Sequence, residues 1–133
     1  MINVDHRERK ILEHCTEQKV IVNRVCLKLG DFEIIGSNGR KLLVERKSYQ
    51  DLIASIMDGR YRSQIDRLEK EESALIILTG NLESALRESG VSRNSVLGCI
   101  TSIMIKHKVS ILHLDRDEYI PYVLKSLEAK MSV

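Results

Sequence analysis

The chain has 133 residues, 43% hydrophobic and 30% charged, enough for one domain around a single core and too few for two. Its 21 Lys and Arg against 19 Asp and Glu leave a net charge of +2, and its only aromatic side chains besides histidine are four Tyr and one Phe. A polycation that coats nucleic acid and a single-strand binder that stacks bases on rings are both excluded, so any nucleic-acid contact has to come from local charge patterning.

In chain order, Ile2 to Asp5 reads as a short strand, followed by a helical stretch from Arg9 to Gln18 with Ile11 and Leu12 turned inward. Lys19 to Leu29 is rich in Val, Ile and Leu. In its second half Val25, Leu27 and Leu29 alternate with Arg24, Cys26 and Lys28, the pattern of half-buried extended chain. FEII and KLLVE are separated by GSNGR, where Gly36, Asn38 and Gly39 supply the residues that let a hairpin reverse. Ser48 starts a helix with Asp51 three residues on, a variant capping box, and Leu52, Ile53, Ile56 and Met57 form its apolar stripe. Gly59 breaks that helix, and a second, highly charged one runs from Tyr61 to Glu72 on the anchors Ile65 and Leu68. ALIIL, residues 74 to 78, is a wholly apolar run with the look of a central strand. A loop or short helix follows, then a helix from Asn94 to His107, a strand from Val109 to Leu114, and a final helix with Ile120, Val123, Leu124, Leu127 and Met131 on one face. This alternation predicts an α/β layered domain with helices packed on a mixed sheet. No repeat or linker interrupts it, so one domain over 1–133 is expected.

The longest apolar run, Val96 to Ile105, is about half a membrane span, and the charged N-terminus MINVDHRERK has no signal-peptide core. Cys15, Cys26 and Cys99 are odd in number and scattered, which argues for a reducing, intracellular compartment: cytoplasm in a prokaryote or archaeon, nucleus in a eukaryote. His6, His14, His107 and His113 fall into no HExxH or close Cys/His set, so they read as structural or surface residues without a zinc site.

The stretch GDFEIIGSNGRKLLVERKSYQD, residues 30 to 51, is where chemistry is expected. A hairpin centred on Asn38 sets Asp31 directly opposite Glu45, and opposed strand residues hold their Cβ atoms roughly 4.5 to 5.5 Å apart. Two carboxylates that close repel unless a positive group lies between them, and Mg²⁺ or Mn²⁺, hard and oxygen-seeking, is the natural occupant. Lys47 projects on the same face about 7 Å along, placed to orient a water and stabilise charge on a phosphate, while Arg46 points to the other face. Together these groups describe metal-assisted phosphodiester hydrolysis. A solvated hairpin face carries the same residue types, and a one-residue slip would separate Asp31 from Glu45, so spacing alone leaves both alternatives open.

Three ordered motifs resemble the XPF/Hef family of structure-specific DNA endonucleases. GD, thirteen residues, ERK, three residues and Asp is similar to that family's GDxₙERKxxxD signature, VDHRE at residues 4 to 8 to its VDxRE element, and DGRYRSQIDRL at residues 58 to 68 to its DGRxxxQxxRL helix. The resemblance covers essentially the whole chain and implies a restriction-endonuclease-like core. It implies that Asp31 and Glu45 are metal ligands, that Lys47 orients water and stabilises charge, and that Asp5 and Asp51 complete the acidic cluster. Arg7 and Arg46 would support catalysis or contact phosphate, and Glu8 would stand behind the cluster. Asp51 has capping of the Ser48 helix as a second account, Glu8 a place as an ordinary first-turn acid, and Arg7 one as a solvated charge.

Arg60, Gln64 and Arg67 share a helical face in this reading, and with Arg62 they form a candidate phosphate-gripping constellation; the alternative is pairing with Asp58, Asp66, Glu69 and Glu71. Residues 1–70 carry a net charge of +3 and residues 71–133 one of −1, so the basic excess lies in the half holding the motifs. The resemblance also implies flap, fork or branched DNA as partner, read by shape rather than sequence. A homodimer, or a heterodimer with a DNA-binding partner, would form through the helix from Asn94 and the last helix. Neither the helix-hairpin-helix domain nor the helicase that often accompanies this nuclease domain is expected within 1–133. A non-catalytic partner subunit and a restriction- or resolvase-like nuclease with another substrate are the rival readings. The intact ERK opposes the first, and VDHRE with DGRYRSQIDRL opposes the second.

Overall fold

The structure is a computed structural model that describes residues 1–131. Its elements are β1 (Ile2–Asp5), α1 (Arg9–Glu17), β2 (Asn23–Val25), β3 (Phe32–Ile35), β4 (Lys41–Ser48), α2 (Tyr49–Asp58), α3 (Tyr61–Glu69), β5 (Ala74–Thr79), α4 (Leu82–Ser89), α5 (Arg93–Ile105), β6 (Ser110–Leu114), a 3₁₀ turn (Asp117–Tyr119) and α6 (Ile120–Met131). The strands form one mixed six-stranded sheet in the order β2-β1-β3-β4-β5-β6. β1–β3 and β3–β4 are antiparallel, whereas β1–β2, β4–β5 and β5–β6 are parallel.

Strand alternation decides which helices cover which face. Leu43, Ile76 and Leu78 point into a core completed by Leu52, Ile53, Ile65, Leu68, Leu86, Val96 and Ile103 of α2 to α5. Ile2, Val4, Phe32, Ile34, Val44, Leu75 and Ile77 point the other way, onto Ile11 of α1 and Ile120 and Leu124 of α6. Every residue of β5 is buried, as expected of a strand covered on both faces.

The hairpin register matches its sequence expectation: Phe32 pairs with Val44, Glu33 with Leu43, Ile34 with Leu42 and Ile35 with Lys41. The turn closes through Gly36 N–H to Arg40 O (2.8 Å), with Gly39 at φ +84°. Gly36 has a second duty, because a Cβ there would collide with the Met131 carbonyl at the end of α6.

The structure moves several expected boundaries. β2 is only Asn23–Val25, and the Val25-Leu27-Leu29 alternation continues as coil because β1, its partner, ends at Asp5. The charged helix stops at Glu69 rather than Glu72. Residues 82–89 are a helix, N-capped by Asn81 Oδ1 accepting from Ser84 N–H at 2.9 Å. α5 spans Arg93–Ile105, begun by a Ser92 cap. β4 runs to Ser48 because β5 pairs with it in register from Leu43 to Ser48, so Glu45, Arg46 and Lys47 are ladder residues and not the start of a loop.

Candidate active site

Two strand ends meet at Asp31. Regular pairing of β3 with β4 stops at Phe32, and the Asp31 N–H bonds to Val44 O at 2.9 Å, while the Asp31 carbonyl accepts Asp5 N–H, also at 2.9 Å. The ladder therefore slips locally where the sequence reading had a direct Asp31–Glu45 pair. Asp31 Oδ2 then crosses to accept the Arg46 N–H at 2.8 Å. Its carboxyl nevertheless feels Glu45. Burial is the main cause that raises Asp31 above its ordinary value, the Arg46 N–H opposes it, and the charge of Glu45 adds to it. Glu45 is raised too, by burial, against the pull of Lys47 and Arg67. Its Oε2 is buried with no hydrogen-bond partner.

Lys47 follows Glu45 on the same face and donates from Nζ to Gln64 Oε1 of α3 at 3.0 Å. Gln64 and Arg67 thus turn towards β4 from one face of α3, as their spacing predicts. Arg60 does not join them: its Nε donates to Asp58 Oδ2 at 2.7 Å, and Arg62 is exposed. The four-residue constellation is split, two members facing the carboxylates and two remaining at the surface.

On the opposite face, Arg46 reaches α1 and the 3₁₀ turn, as strand alternation requires. Its Nη2 and Nε donate to Glu8 Oε2 at 2.9 and 3.1 Å, and its Nη1 lies 3.7 Å from Asp117 Oδ2. Glu8 occupies the N-cap position of α1 but makes no capping bond, so its side chain is not acting as a helix acid. It is buried, and burial is the main cause of its raised pKa, with Arg46 opposing and the charge of Asp31 adding to it. Both carboxyls feel the Arg46 guanidinium, whose pKa is lowered most by burial but raised on balance by Glu8, Asp117 and Asp31 together. Asp117 was not singled out from the sequence. Nothing in its spacing points to residues 71 positions earlier, and only docking of the 3₁₀ turn brings it to Arg46; its Oδ1 is also buried and unpartnered.

Asp5 is 1% exposed. Its Oδ2 accepts from Arg7 Nε (2.7 Å) and Arg7 N (3.1 Å), and its Oδ1 from Leu27 N (2.9 Å). The Arg7 side chain first, then the Leu27 N–H, hold its carboxyl at about 2. Asp51 donates its backbone N–H to Ser48 Oγ at 3.0 Å and leaves its carboxylate exposed in the first turn of α2.

Two carboxyls raised by burial, one orphaned oxygen and a lysine two residues on fit a divalent, oxygen-seeking cation. Asp31 and Glu45 are the residues that would hold it, and the ion would relieve the penalty of keeping both charged in a partly dry place.

Residues 4–126 match the ERCC4 domain. The chain is 34% identical over 86 residues to a Methanocaldococcus jannaschii protein that carries the name of an ATP-dependent RNA helicase, a match covering 65% of this chain and 10% of that protein. It is 28% identical over 115 residues to a Dictyostelium discoideum protein that carries the name of a crossover junction endonuclease, mus81, covering 73% of this chain and 12% of that one. The fold is similar to XPF from Aeropyrum pernix solved in complex with DNA, with a TM-score of 0.83 at 23% identity over 97% of this chain and 63% of that chain. A second structure of XPF from Aeropyrum pernix gives 0.77 at 23% identity. The likeness establishes a restriction-endonuclease-like sheet. The chain spans about a tenth of the length of the two curated relatives.

Proposed function

The chain belongs to the ERCC4 domain family, and on that premise we propose that it is a Mg²⁺- or Mn²⁺-dependent DNA endonuclease that cuts the backbone near flaps, forks or branch points. The observation that carries this reading is the buried, partnerless Glu45 Oε2 beside Asp31, with Lys47 following on the same face. A cation bound there would act as a Lewis acid on the scissile phosphate and favour deprotonation of the attacking water.

The chain's own residues supply the rest. Asp31 and Glu45 would hold the ion, with Asp5 as the third acid of the set. Asp5, tied to Arg7 and Leu27, contributes charge to that set and fixes the end of β1 against Asp31. Gln64 keeps the Lys47 ammonium on the Glu45 side, and Lys47 exchanges that acceptor for a phosphate oxygen as charge develops. The exposed Arg7, Arg60 and Arg62 are the phosphate-gripping groups, joined by Arg67 beside Glu45. Arg46 holds the Glu8–Asp31 pair from the opposite face, and Asp51 borders the site from the first turn of α2.

A dimer completes the reading. α5 exposes Leu97 (41%), Met104 (45%) and Ile105 (76%), and α6 exposes Tyr122 (57%). α5 packs against the edge strand β6 and α6 against β1 and β3 on the other face, and their exposed side chains offer a surface to a second copy, or to a DNA-binding partner of the same fold. No described helix is long and apolar enough to cross a membrane.

The test is a labelled panel of flap, fork, single-stranded and duplex DNAs incubated with and without Mn²⁺. Cutting confined to the flap and fork in the presence of Mn²⁺ supports the reading. Equal cutting of plain duplex would remove the structure-specific claim.

A further inference from the structure

The parallel pairing of β1 with β2 brings Cys26 to Asp5 and His6, which lie about 20 residues earlier in the sequence. Asp5 stands in register with Val25, and the His6 N–H donates to Val25 O at 2.7 Å. On the other side of Cys26, Leu27 N–H donates to Asp5 Oδ1 at 2.9 Å. Cys26 is thus held between two residues that are themselves tied to the end of β1. One ligand atom each from Asp5, His6 and Cys26 lies within 4.8 Å of the others. Asp5 Oδ1 and His6 Nδ1 are 3.7 Å apart.

The chemistry of this set differs from that of the nuclease site. A thiolate, an imidazole and a carboxylate around one point select a borderline-soft divalent ion, whereas Mg²⁺ rejects thiolate. Tetrahedral coordination at roughly 2.0 to 2.3 Å from the ion puts neighbouring ligand atoms about 3.3 to 3.8 Å apart. The Asp5–His6 separation already falls in that range. His6 and Cys26 are exposed, so side-chain rotation alone suffices to close the rest. Asp5 is buried and anionic, a fixed charge for the ion to bind, and its Oδ1 keeps a lone pair beyond the bond from Leu27.

We propose that Asp5, His6 and Cys26 form a binding site for a Zn²⁺-class ion, with a fourth position open to solvent, beside and chemically distinct from the Asp31–Glu45 pair. Binding releases the Cys26 thiol proton to solvent and forms a thiolate–metal bond. The fold supplies what sequence spacing could not: a Cys/His/Asp set assembled where two paired strands end.

Co²⁺ is the probe, since a cobalt–thiolate bond gives a charge-transfer absorption that carboxylate and imidazole ligands do not. The full, reduced, cation-free chain titrated with Co²⁺ is expected to develop that band at one equivalent and to lose it on addition of Zn²⁺ but not of Mg²⁺. Cys26→Ser is expected to abolish it, since Cys15 and Cys99 are buried. His6→Ala is expected to weaken Co²⁺ binding about tenfold or more. Absence of the band, its persistence in Cys26→Ser, or unchanged affinity in His6→Ala would each overturn the site. The readout is independent of DNA cleavage, so its failure leaves the nuclease reading untouched.

Discussion

Replacing Glu45 with Gln should make the protein more stable without cation and less stable with it. Glu45 Oε2 is buried without a partner, and such an atom costs about 1 to 3 kcal/mol, more when charged. Gln keeps the shape and the polarity but removes the charge, so we take the lower end, a gain of about 1 kcal/mol. For a chain of this size that raises Tm by about 3 °C. The sign depends on pH. The folded Glu45 carboxyl titrates above its ordinary value of 4.5, so the stability that comes from its protonation is complete below 4.5 and is lost as pH rises through the folded value. The advantage of Glu45→Gln in EDTA should therefore be absent at low pH and develop above that window. Mn²⁺ reverses the order: an ion at 100 times its Kd stabilises the wild type by about 2.7 kcal/mol, and the variant forfeits most of that. Thermal unfolding of both proteins in EDTA and in Mn²⁺ should give crossing Tm values. A wild type that is the more stable of the two in EDTA near neutral pH, or Mn²⁺ raising both by the same amount, would refute the cation-site reasoning.

The other expectations follow from the neighbouring contacts. Asp5 is held at about 2 against an ordinary 3.8, so its stabilisation is present above 3.8 and fades as pH falls through about 2. Acid titration followed by circular dichroism should show less loss over that window in Asp5→Asn than in wild type. Arg46→Met leaves Glu8 and Asp31 without their cation. Since Arg46 is 32% exposed, the cost in urea unfolding should be about 2 kcal/mol, below that of a fully buried pair, and Glu8→Gln added to it should recover part of the loss. Gln64→Ala frees Lys47 without removing it, so kcat should drop about tenfold with KM nearly unchanged, whereas Lys47→Met should cost about a hundredfold or more. Ile105→Glu should shift sedimentation towards monomer with an unchanged circular dichroism spectrum, and an unchanged sedimentation profile would remove α5 from the interface.

The elements carried by periodicity were legible in the sequence. ALIIL had to be a central strand, and the Gly36-Asn38-Gly39 turn fixed the hairpin register correctly. What failed was a stretch whose state depends on a partner's length: the alternation at Val25, Leu27 and Leu29 has no strand to pair with past Asp5. At the site, the Asp31–Glu45–Lys47 grouping was readable from strand geometry, although the local slip at Asp31 was not. Gln64 and Arg67 could be placed on one face by helical spacing. Arg60 takes the other course that the sequence leaves open, pairing with its neighbour Asp58. For Glu8 the sequence leaves open a place behind the acidic cluster and one as a first-turn acid, and spacing could not decide because its bond to Arg46 arises where α1 meets the sheet. Asp117, Cys26 and His6 carry no spacing signal at all. Tertiary docking alone gives them their neighbours.

The pairing of Asp31 with Glu45 as the cation-holding centre is tested most directly by cleavage of one labelled flap substrate by wild type, Asp31→Asn and Glu45→Gln, each in Mn²⁺ and in EDTA. Cutting should occur only in the wild type and only with Mn²⁺, while all three proteins retain the same circular dichroism spectrum. Cleavage by either folded variant at the wild-type rate, or by the wild type in EDTA, would contradict it.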